Sequence, residues 1–379
     1  MHIGFLTPEY PHPKLCSSGG LGTSIKNLAT HLASLGIKVT VFVVFQNENE
    51  IFNVSSVKVI SVKLKRYRFL GWYKERKRLQ KILQLEITKE KIDIIEAPDW
   101  TGITAFMKFS VPIVIRLNGS DAYFCKLDNR KQKFKNFFFE KTALKGAQEI
   151  VSASSFTGVL TKEIFGLKKT IKTIHNSIDT DSFLARKSSV NKGQILYFGT
   201  VIRKKGVLEL AEIFNIVREK NETASLLLVG KDSFDVFTNK STIQLFYDLL
   251  TSEAKTSVKH IQEVPYKDVV AYINSANVIV LPSFAEAFPM TWLETLALEK
   301  ALVSSNIGWA NELMVNSKTG FTVNPKNHKE FALKILKLLA DDNLCKKFGK
   351  EGRKHVEENF STKKITLENV EFYKSIINK

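Results

Sequence analysis

The sequence predicts an α/β protein with two doubly wound, Rossmann-like domains. Three observations carry that expectation. Short apolar runs alternate with helix-period stripes in both halves of the chain, a turn-rich polar stretch separates the halves, and 379 residues suit two domains better than one.

The elements follow in order. Residues 2–7 (HIGFLT) are a short apolar run, the mark of a buried strand. Over 23–35, Ile25, Leu28, Ala29, Leu32 and Leu35 line one helix face, and Gly36 stands where a helix ends in left-handed backbone. A second strand over 39–45 is nearly all apolar, as parallel strands covered on both faces are. The pattern continues with a helix over 73–85, strands at 92–96 and 113–117, a helix near 137–144 and a strand at 149–152. The turn-rich run His175-Asn-Ser-Ile-Asp-Thr-Asp181 and a linker-like stretch over 186–193 precede a fresh start: strand 194–199, amphipathic helix 207–218 and strand 224–230. Further strands are expected at 261–264, 278–281 and 302–304. Ligands of such sheets bind beyond the carboxyl ends of the strands. Two facing domains would therefore put a site in the cleft between them.

Composition narrows the function classes. No apolar run approaches the roughly 18 residues that span a bilayer. The first strand begins at the N-terminus without a charged leader or cleavage site, so no secretory signal is expected. Cys16, Cys125 and Cys345 are odd in number and far apart, which fits a reducing cytoplasm and neither a disulfide framework nor a metal knuckle. The net charge is +18, and half of it lies in 58–91. That stretch opens on Lys58, closes on Lys91, and carries 12 Lys/Arg against 3 Glu with Tyr67, Phe69, Trp72 and Tyr73 interleaved. A second basic stretch over 126–145, from Lys126 to Lys145, contains Phe134, Phe137, Phe138 and Phe139. Two readings stay open for these faces: a solvated surface in a lysine-rich protein, or peripheral contact with an anionic membrane. No nucleic-acid partner is expected, because no reader fold accompanies the charge.

Three motifs carry chemistry. Ser17-Ser-Gly-Gly-Leu-Gly-Thr23 lies just ahead of the first helix, and Gly19 and Gly20 would let backbone approach a phosphate at the helix N-terminus. A dinucleotide fingerprint does not fit: Ile25 stands where the third glycine belongs, the loop is long, and no acid closes the second strand. Phe198-Gly-Thr-Val-Ile-Arg-Lys-Lys-Gly206 lies on the first strand-to-helix loop of the second half, where Arg203 and Lys205 could meet a diphosphate. The strongest motif is the apolar strand at 278–281 followed by Glu286-Ala-Phe-Pro-Met-Thr-Trp-Leu-Glu294. Pro289 suits a first helical turn, Glu286 falls on the loop before the helix, and Glu294 lies about two turns into it. The amides of Met290 and Thr291 then point between two carboxylates, an anion site flanked by acceptors for sugar and ribose hydroxyls. Each glutamate alone reads equally well as an acid favoured by the helix dipole.

Glu286-x7-Glu294 after a strand, with Lys300-Ala-Leu-Val-Ser-Ser305 beyond, resembles the signature of the retaining glycosyltransferases of family 4, also called glycosyl transferases group 1. Other pieces agree in order: Gly19-Gly20, Glu96-Ala-Pro-Asp-Trp100, Arg116-Leu-Asn-Gly119, Asn176-Ser-Ile-Asp179, Lys205-Gly206, Gly320-Phe-Thr-Val-Asn-Pro325 and the terminal helix after Phe360. The resemblance covers essentially the whole chain. It implies a GT-B fold, with a first domain over 1–178 plus a crossing helix at about 361–379, and a nucleotide-sugar domain over 190–360. It further implies that Glu294 holds the ribose, that Lys205 and the amides near Met290 and Thr291 hold the diphosphate, and that Glu286 and Asn118 orient the sugar. Donor contacts are expected at Gly19, Gly20 and Arg203 as well. The acceptor would be a glycan or a lipid-linked sugar, in cell-surface polysaccharide synthesis at the inner face of the membrane. A nucleotide-sugar is the co-substrate, with no separate cofactor and no metal.

The chain departs from the family pattern at four places. Thr200 replaces an arginine, for which Arg203 could substitute; Asn118 replaces a histidine; Ala287-Phe288-Pro289 replaces Gly-Phe-Gly; Ser177 replaces a turn glycine. Asp179-Thr-Asp181 spells a metal motif of another transferase fold, but its interdomain position fits the hinge motif instead. Two rival classes remain open: a GT-B nucleotide-sugar epimerase, and a non-catalytic binder of glycan or nucleic acid.

Overall fold

The computed structural model of the chain describes residues 1–185 and 189–378. Residues 186–188 of the linker-like stretch, and residue 379 at the end of the expected terminal helix, lie outside the described residues. The chain forms two compact units. One comprises Met1–Ser177 and the segment from Ser361 on; the other is Ile178–Phe360, so residue 178, expected in the first domain, and the stretch from 179 expected between the domains belong to the second unit.

The first unit is built from β1 (His2–Thr7), α1 (Gly20–Ser34), β2 (Lys38–Gln46), β3 (Glu50–Val54), β4 (Val57–Lys63), α2 (Gly71–Glu90), β5 (Ile94–Pro98), β6 (Ile113–Leu117), α3 (Asp121–Leu127), α4 (Phe134–Gly146), β7 (Glu149–Ser152), α5 (Ser155–Phe165) and β8 (Lys172–Thr173). Its sheet runs β3-β4-β2-β1-β5-β6-β7-β8, parallel except for the β3–β4 hairpin. Apolar side chains pack on both faces. Leu83, Ile95 and Ile115 belong to one core cluster, and Leu32, Val41 and Ile94 to the other. The hairpin escaped the sequence reading because its turn, Ser55-Ser56, carries positive φ (48° and 66°) without the glycine that announces such turns.

The second unit continues with β9 (Gln194–Phe198), α6 (Val207–Lys220), β10 (Ser225–Val229), α7 (Thr242–Leu249), α8 (Ser252–Lys255), β11 (Val258–Ile261), α9 (Tyr266–Ser275), β12 (Val278–Leu281), α10 (Met290–Ala297), β13 (Leu302–Ser305), α11 (Ala310–Leu313), β14 (Phe321–Val323), α12 (His328–Ala340) and α13 (Asp342–Phe360). All six strands are parallel, in the order β11-β10-β9-β12-β13-β14. The strand expected at 261–264 is instead Val258–Ile261, in register with Leu226–Val229. It is an edge strand, so Lys259 and His260 are tolerated in it and the apolar-run criterion slides past.

After α13 the chain returns to the first unit as α14 (Thr362–Ile377). There a buried polar knot fixes it. Arg116 donates to both oxygens of Glu96 (2.6 and 3.0 Å) and to Asn369 Oδ1 (2.5 Å), while Tyr373 donates to Glu96 Oε2 (2.7 Å). The order reverses around β9 and β12 in the second sheet, the position where a doubly wound sheet opens a crevice at its carboxyl end.

Candidate active site

Two loops of the second unit meet at that reversal, one after β9 and one after β12. Beyond β9 the chain turns through Gly199, then a 3-10 turn over Arg203–Lys205 that ends at Gly206. Gly206 has φ +70°, and a Cβ there would lie 2.0 Å from the Pro282 carbonyl oxygen. Only glycine lets the two loops touch, which accounts for the Lys205-Gly206 pair. The amides of Phe284 and Ala285 donate to the Lys204 carbonyl (2.8 and 3.3 Å) and complete the join.

This join sets Lys205 among acids. Its Nζ stands 3.4 Å from Glu286 Oε1, which also accepts a hydrogen bond from Ser283 Oγ (3.1 Å). The ammonium lies beside Gly199 and near Thr291, the second residue of α10. The helix starts one residue later than the sequence suggests: Pro289 is its extended N-cap, with φ −73° and ψ 121°. Glu294 is therefore the fifth helical residue, little more than one turn in, rather than two. The first backbone bond into the helix comes from Leu293 (3.5 Å to the Pro289 carbonyl), so the amides of Met290 and Thr291 have no intrahelical acceptor. Neither Ala287 nor Pro289 has positive φ, so the loss of the family's glycines leaves this backbone unstrained. Phe288 between them is buried, its ring centroid 5.3 Å from that of Phe360.

Glu294 is buried and its Oε1 accepts a hydrogen bond from Tyr266 (2.6 Å), the first residue of α9. Burial pushes its carboxyl up to about 7, against the Tyr266 hydrogen bond and the charge of Lys205, which favour the carboxylate. Burial and the neighbouring Glu294 in turn raise the Tyr266 hydroxyl. One lysine, two carboxylates and unbonded helix amides thus converge at the carboxyl end of a parallel sheet. Such a set can bind an anion centrally and accept hydrogen bonds from hydroxyl groups on either side.

Arg203 does not join this cluster. Its guanidinium forms a fork on Asp235 (2.6 and 3.0 Å) and lies over the Phe237 ring. The pair holds the Asp235 carboxyl down at about 2. Arg203 is the residue expected to stand in for the arginine missing at Thr200; in this structure two of its N–H groups are committed to Asp235 rather than turned toward Lys205 and Glu286. Thr200 itself takes part through its carbonyl, which accepts from the buried Tyr197 hydroxyl (2.7 Å).

Gly19, Gly20 and Asn118 belong to the first unit. The helix amides reserved for phosphate are donated to an internal anion: Glu9 accepts from Gly19 (2.7 Å) and Gly22 (3.3 Å). Asn118 follows β6, and its amide donates to Asp99 Oδ1 (3.0 Å). Asp99 is fully buried. Burial raises its carboxyl to about 7, opposed by the Asn118 and Gly119 amides. Asn118 also borders a small polar recess with Ser24, His175 and Asn176. Asp179 caps its own turn by accepting from the Asp181 amide (3.1 Å). Among the described residues no group of three or more His, Cys, Asp or Glu could hold a metal ion. Among them, too, no helix is long and apolar enough to cross a membrane.

Sequence reasoning passed over Tyr266, Ser283, Glu9 and Asp99. Asp99 lay within a quoted motif, Glu96-Ala-Pro-Asp-Trp100. Tyr266 had no signal beyond the preceding Pro265, since its role depends on α9 reaching across to α10.

Comparison with known proteins agrees with this architecture. The profile of glycosyl transferases group 1 matches residues 180–355, and that of glycosyltransferase family 4 matches residues 18–182. The capsular polysaccharide biosynthesis glycosyltransferase CapM of Staphylococcus aureus is 32% identical over 182 residues, 48% of this chain and 46% of that one. The chain thus spans about half the length of that relative. An uncharacterized glycosyltransferase of Methanocaldococcus jannaschii is 24% identical over 370 residues, 96% of this chain and 95% of its own. Among solved structures, sucrose-phosphate synthase from Thermosynechococcus elongatus superposes with a TM-score of 0.81 at 17% identity, over 100% of this chain and 99% of that one. Anabaena Alr3699/HepE, in complex with UDP and glucose, gives 0.75 at 16% identity, covering 98% of this chain and 99% of its own. Two profiles that tile the chain in family order, on a fold shared with these enzymes, make it a family-4 glycosyltransferase of GT-B fold.

Proposed function

We propose that the protein is a retaining, metal-independent hexosyltransferase that takes a sugar from a nucleoside diphosphate-sugar and passes it to a glycan or a lipid-linked acceptor in polysaccharide synthesis at a membrane face. The observation that carries this reading is the placement of Lys205 beside Glu286 at the open start of α10, with Glu294 buried below. The diphosphate takes the ammonium and the amides of Met290 and Thr291, which together offset the charge of the leaving group without a metal ion. Glu294 accepts from the ribose hydroxyls and Glu286 from hydroxyls of the donor sugar. Asn118 offers an amide for hydrogen bonding where a histidine would offer a proton. Gly19 and Gly20 keep the backbone after β1 clear for substrate. Departure of the nucleoside diphosphate leaves an oxocarbenium-like sugar, and the acceptor hydroxyl attacks from the same face with the leaving phosphate oxygen as its base. The complexes of Alr3699/HepE with UDP and with UDP-glucose support a nucleotide-sugar donor for this fold.

A thermal-shift screen with UDP, GDP, ADP and CMP tests the reading. One nucleoside diphosphate should stabilise the protein, and Glu294→Ala should weaken the effect. Absence of a shift with every nucleotide would favour a non-catalytic binder instead. Turnover of a nucleotide-sugar without any acceptor would favour an epimerase.

A further inference from the structure

The two basic stretches come together in the first unit, and they do so around aromatic rings. At the start of α2, Trp72 packs on Phe139 of α4 (centroids 4.9 Å) and on Phe106 (5.6 Å). Phe106 also meets Tyr73 (5.8 Å) and Phe138 (6.1 Å), and Phe138 meets Phe134 (6.5 Å). This platform is built, not floppy. Arg76 lies 4.5 Å over the Phe139 ring and donates to the Thr101 and Gly102 carbonyls. A Cβ on Gly102 would strike the Phe139 backbone at 2.3 Å.

The rings at the outer edge, and Phe69 in the segment just ahead of α2, are not covered. Phe134 is 82% exposed and Phe69 67%, with Leu70, Tyr73 and Phe138 also exposed. Around them the sequence places eight Lys/Arg in 64–81 and five in 130–141, against one acid in each segment. Both acids are withdrawn: Glu75 is buried and paired with Arg78, and Glu140 is buried against the amides of Asp121 and Ala122. The patch therefore presents apolar ring tips among cations with no exposed anion. Among the described residues, Lys65, Arg66, Arg68, Lys74, Lys133 and Lys135 take part in no ion pair.

We propose that this face, formed by the starts of α2 and α4, docks on an anionic lipid bilayer, with Phe134, Phe138 and Phe69 entering the headgroup–acyl boundary and the surrounding lysines and arginines facing lipid phosphates. Aromatic tips on a cationic ground suit that boundary, where rings gain an apolar environment and cations stay hydrated beside anionic headgroups. Duplex nucleic acid would match the charge but would leave the clustered phenylalanine tips in water; a single strand, whose bases can stack on rings, is the alternative that the oligonucleotide arm of the test excludes. The inference deepens the membrane reading proposed above and rests on it for what the bilayer supplies, a lipid-linked acceptor.

Sedimentation of the full chain with vesicles tests it. The protein should pellet with 3:1 phosphatidylcholine:phosphatidylglycerol vesicles and remain in solution with pure phosphatidylcholine. Binding should fall steeply with added salt, because screening shortens from about 10 Å at 0.1 M to about 3 Å at 1 M. Phe134→Ser with Phe138→Ser should bind the anionic vesicles roughly tenfold less at equal salt, and Lys133→Gln with Lys135→Gln at least as much less. Both variants should keep the parent's thermal midpoint, because the altered side chains lie at the exposed edge. Equal binding by parent and phenylalanine variant would overturn insertion. Indifference to phosphatidylglycerol, or retention on a generic oligonucleotide that vesicles fail to displace, would overturn the docking surface. Intact vesicle binding without any nucleotide shift would sink the transferase reading and leave the surface standing.

Discussion

Glu96 in the first unit and Glu294 in the second are both buried glutamates that accept a hydrogen bond from a tyrosine hydroxyl, at 2.7 and 2.6 Å. What surrounds them differs. Glu96 receives a bidentate guanidinium, and Arg116 extends to Asn369, so every polar group of the knot has a partner. Glu294 has a tyrosine, a lysine acting only through its charge, and a carboxyl driven up to about 7. A satisfied buried carboxylate is structure: it fixes α14 onto the first sheet. A carboxylate with acceptor capacity left over, beside unbonded helix amides, is a site waiting for hydroxyl donors.

The sharpest way to break this contrast is to take one partner from each. Arg116→Ala leaves Glu96 buried without its cation, and unfolding of the first unit should become easier by about 3–5 kcal/mol. A double variant, Glu96→Gln with Arg116→Met, should recover much of that loss, since it leaves no buried charge. Denaturant melts of the three proteins measure both, and a single variant as stable as the parent would mean that the knot does not hold α14. Lys205→Ala should do the reverse. Turnover should fall about 100- to 1,000-fold, as when one preorganised charge-stabilising group is lost. The melting midpoint should move little, because Lys205 and Glu286 keep some exposure. A loss of turnover below tenfold would remove Lys205 from the diphosphate.

Glu294 links the two halves of the comparison through pH. Its ordinary value is 4.5 and burial lifts it to about 7 in the folded chain. Below about pH 4.5 both folded and unfolded forms are protonated, and burial carries no charge penalty. Between about 4.5 and 7 the unfolded chain has lost the proton while the folded chain keeps it, so this residue's contribution to stability declines as pH rises and is gone above 7. Glu294→Gln should therefore be more stable than the parent at pH 8, on the order of 1–3 kcal/mol, and gain nothing at pH 4. The same variant should bind the nucleoside diphosphate roughly 10- to 100-fold more weakly, because charged acceptors make the stronger hydrogen bonds. Parent affinity should rise from pH 6 to 8 as the carboxylate forms, more steeply than variant affinity, which should follow only the ligand's own phosphate titration at about pH 6. Titration calorimetry at the two pH values separates the curves; a variant that keeps the parent's pH dependence would place the titrating group elsewhere, with Asp99 the next to test.

Much of this was legible in the sequence because period-2 and period-3.6 patterns mark elements buried on a fixed face. The strands at His2–Thr7, Ile113–Leu117, Glu149–Ser152 and Val278–Leu281 fall where the apolar runs place them. Lys205, Glu286, Thr291 and Glu294 converge as their loop and helix positions imply. The β3–β4 hairpin and helices α3 and α5 were missed and edge strand β11 was placed three residues late, since a Ser-Ser turn, short partly exposed helices and a polar edge carry little periodic signal. Asp235 as the partner of Arg203, Tyr266 as that of Glu294 and Glu9 as that of the glycine loop lie 32, 28 and 10–13 residues away in the chain, and no spacing rule links them. Pairings of that kind are decided by which loops the sheet order brings side by side.

Arg203 gives the smallest expected effect and the finest test of the contrast. It carries a permanent charge on the same loop as Lys205, so sequence proximity alone would give both residues to the diphosphate. Its fork is instead matched to Asp235, whose carboxyl is fixed from the other side by Thr238, donating from its amide (3.0 Å) and its hydroxyl (2.8 Å). A guanidinium held at two points on a locked carboxylate would have to break both bonds to reach an anion elsewhere. Arg203→Ala should then change nucleoside diphosphate affinity by less than about threefold. Arg203→Lys should behave alike, since neither variant restores the fork. If Arg203→Ala weakens affinity tenfold or more while Asp235→Asn does not, the fork opens when the donor binds, and Arg203 takes the place left by Thr200 after all.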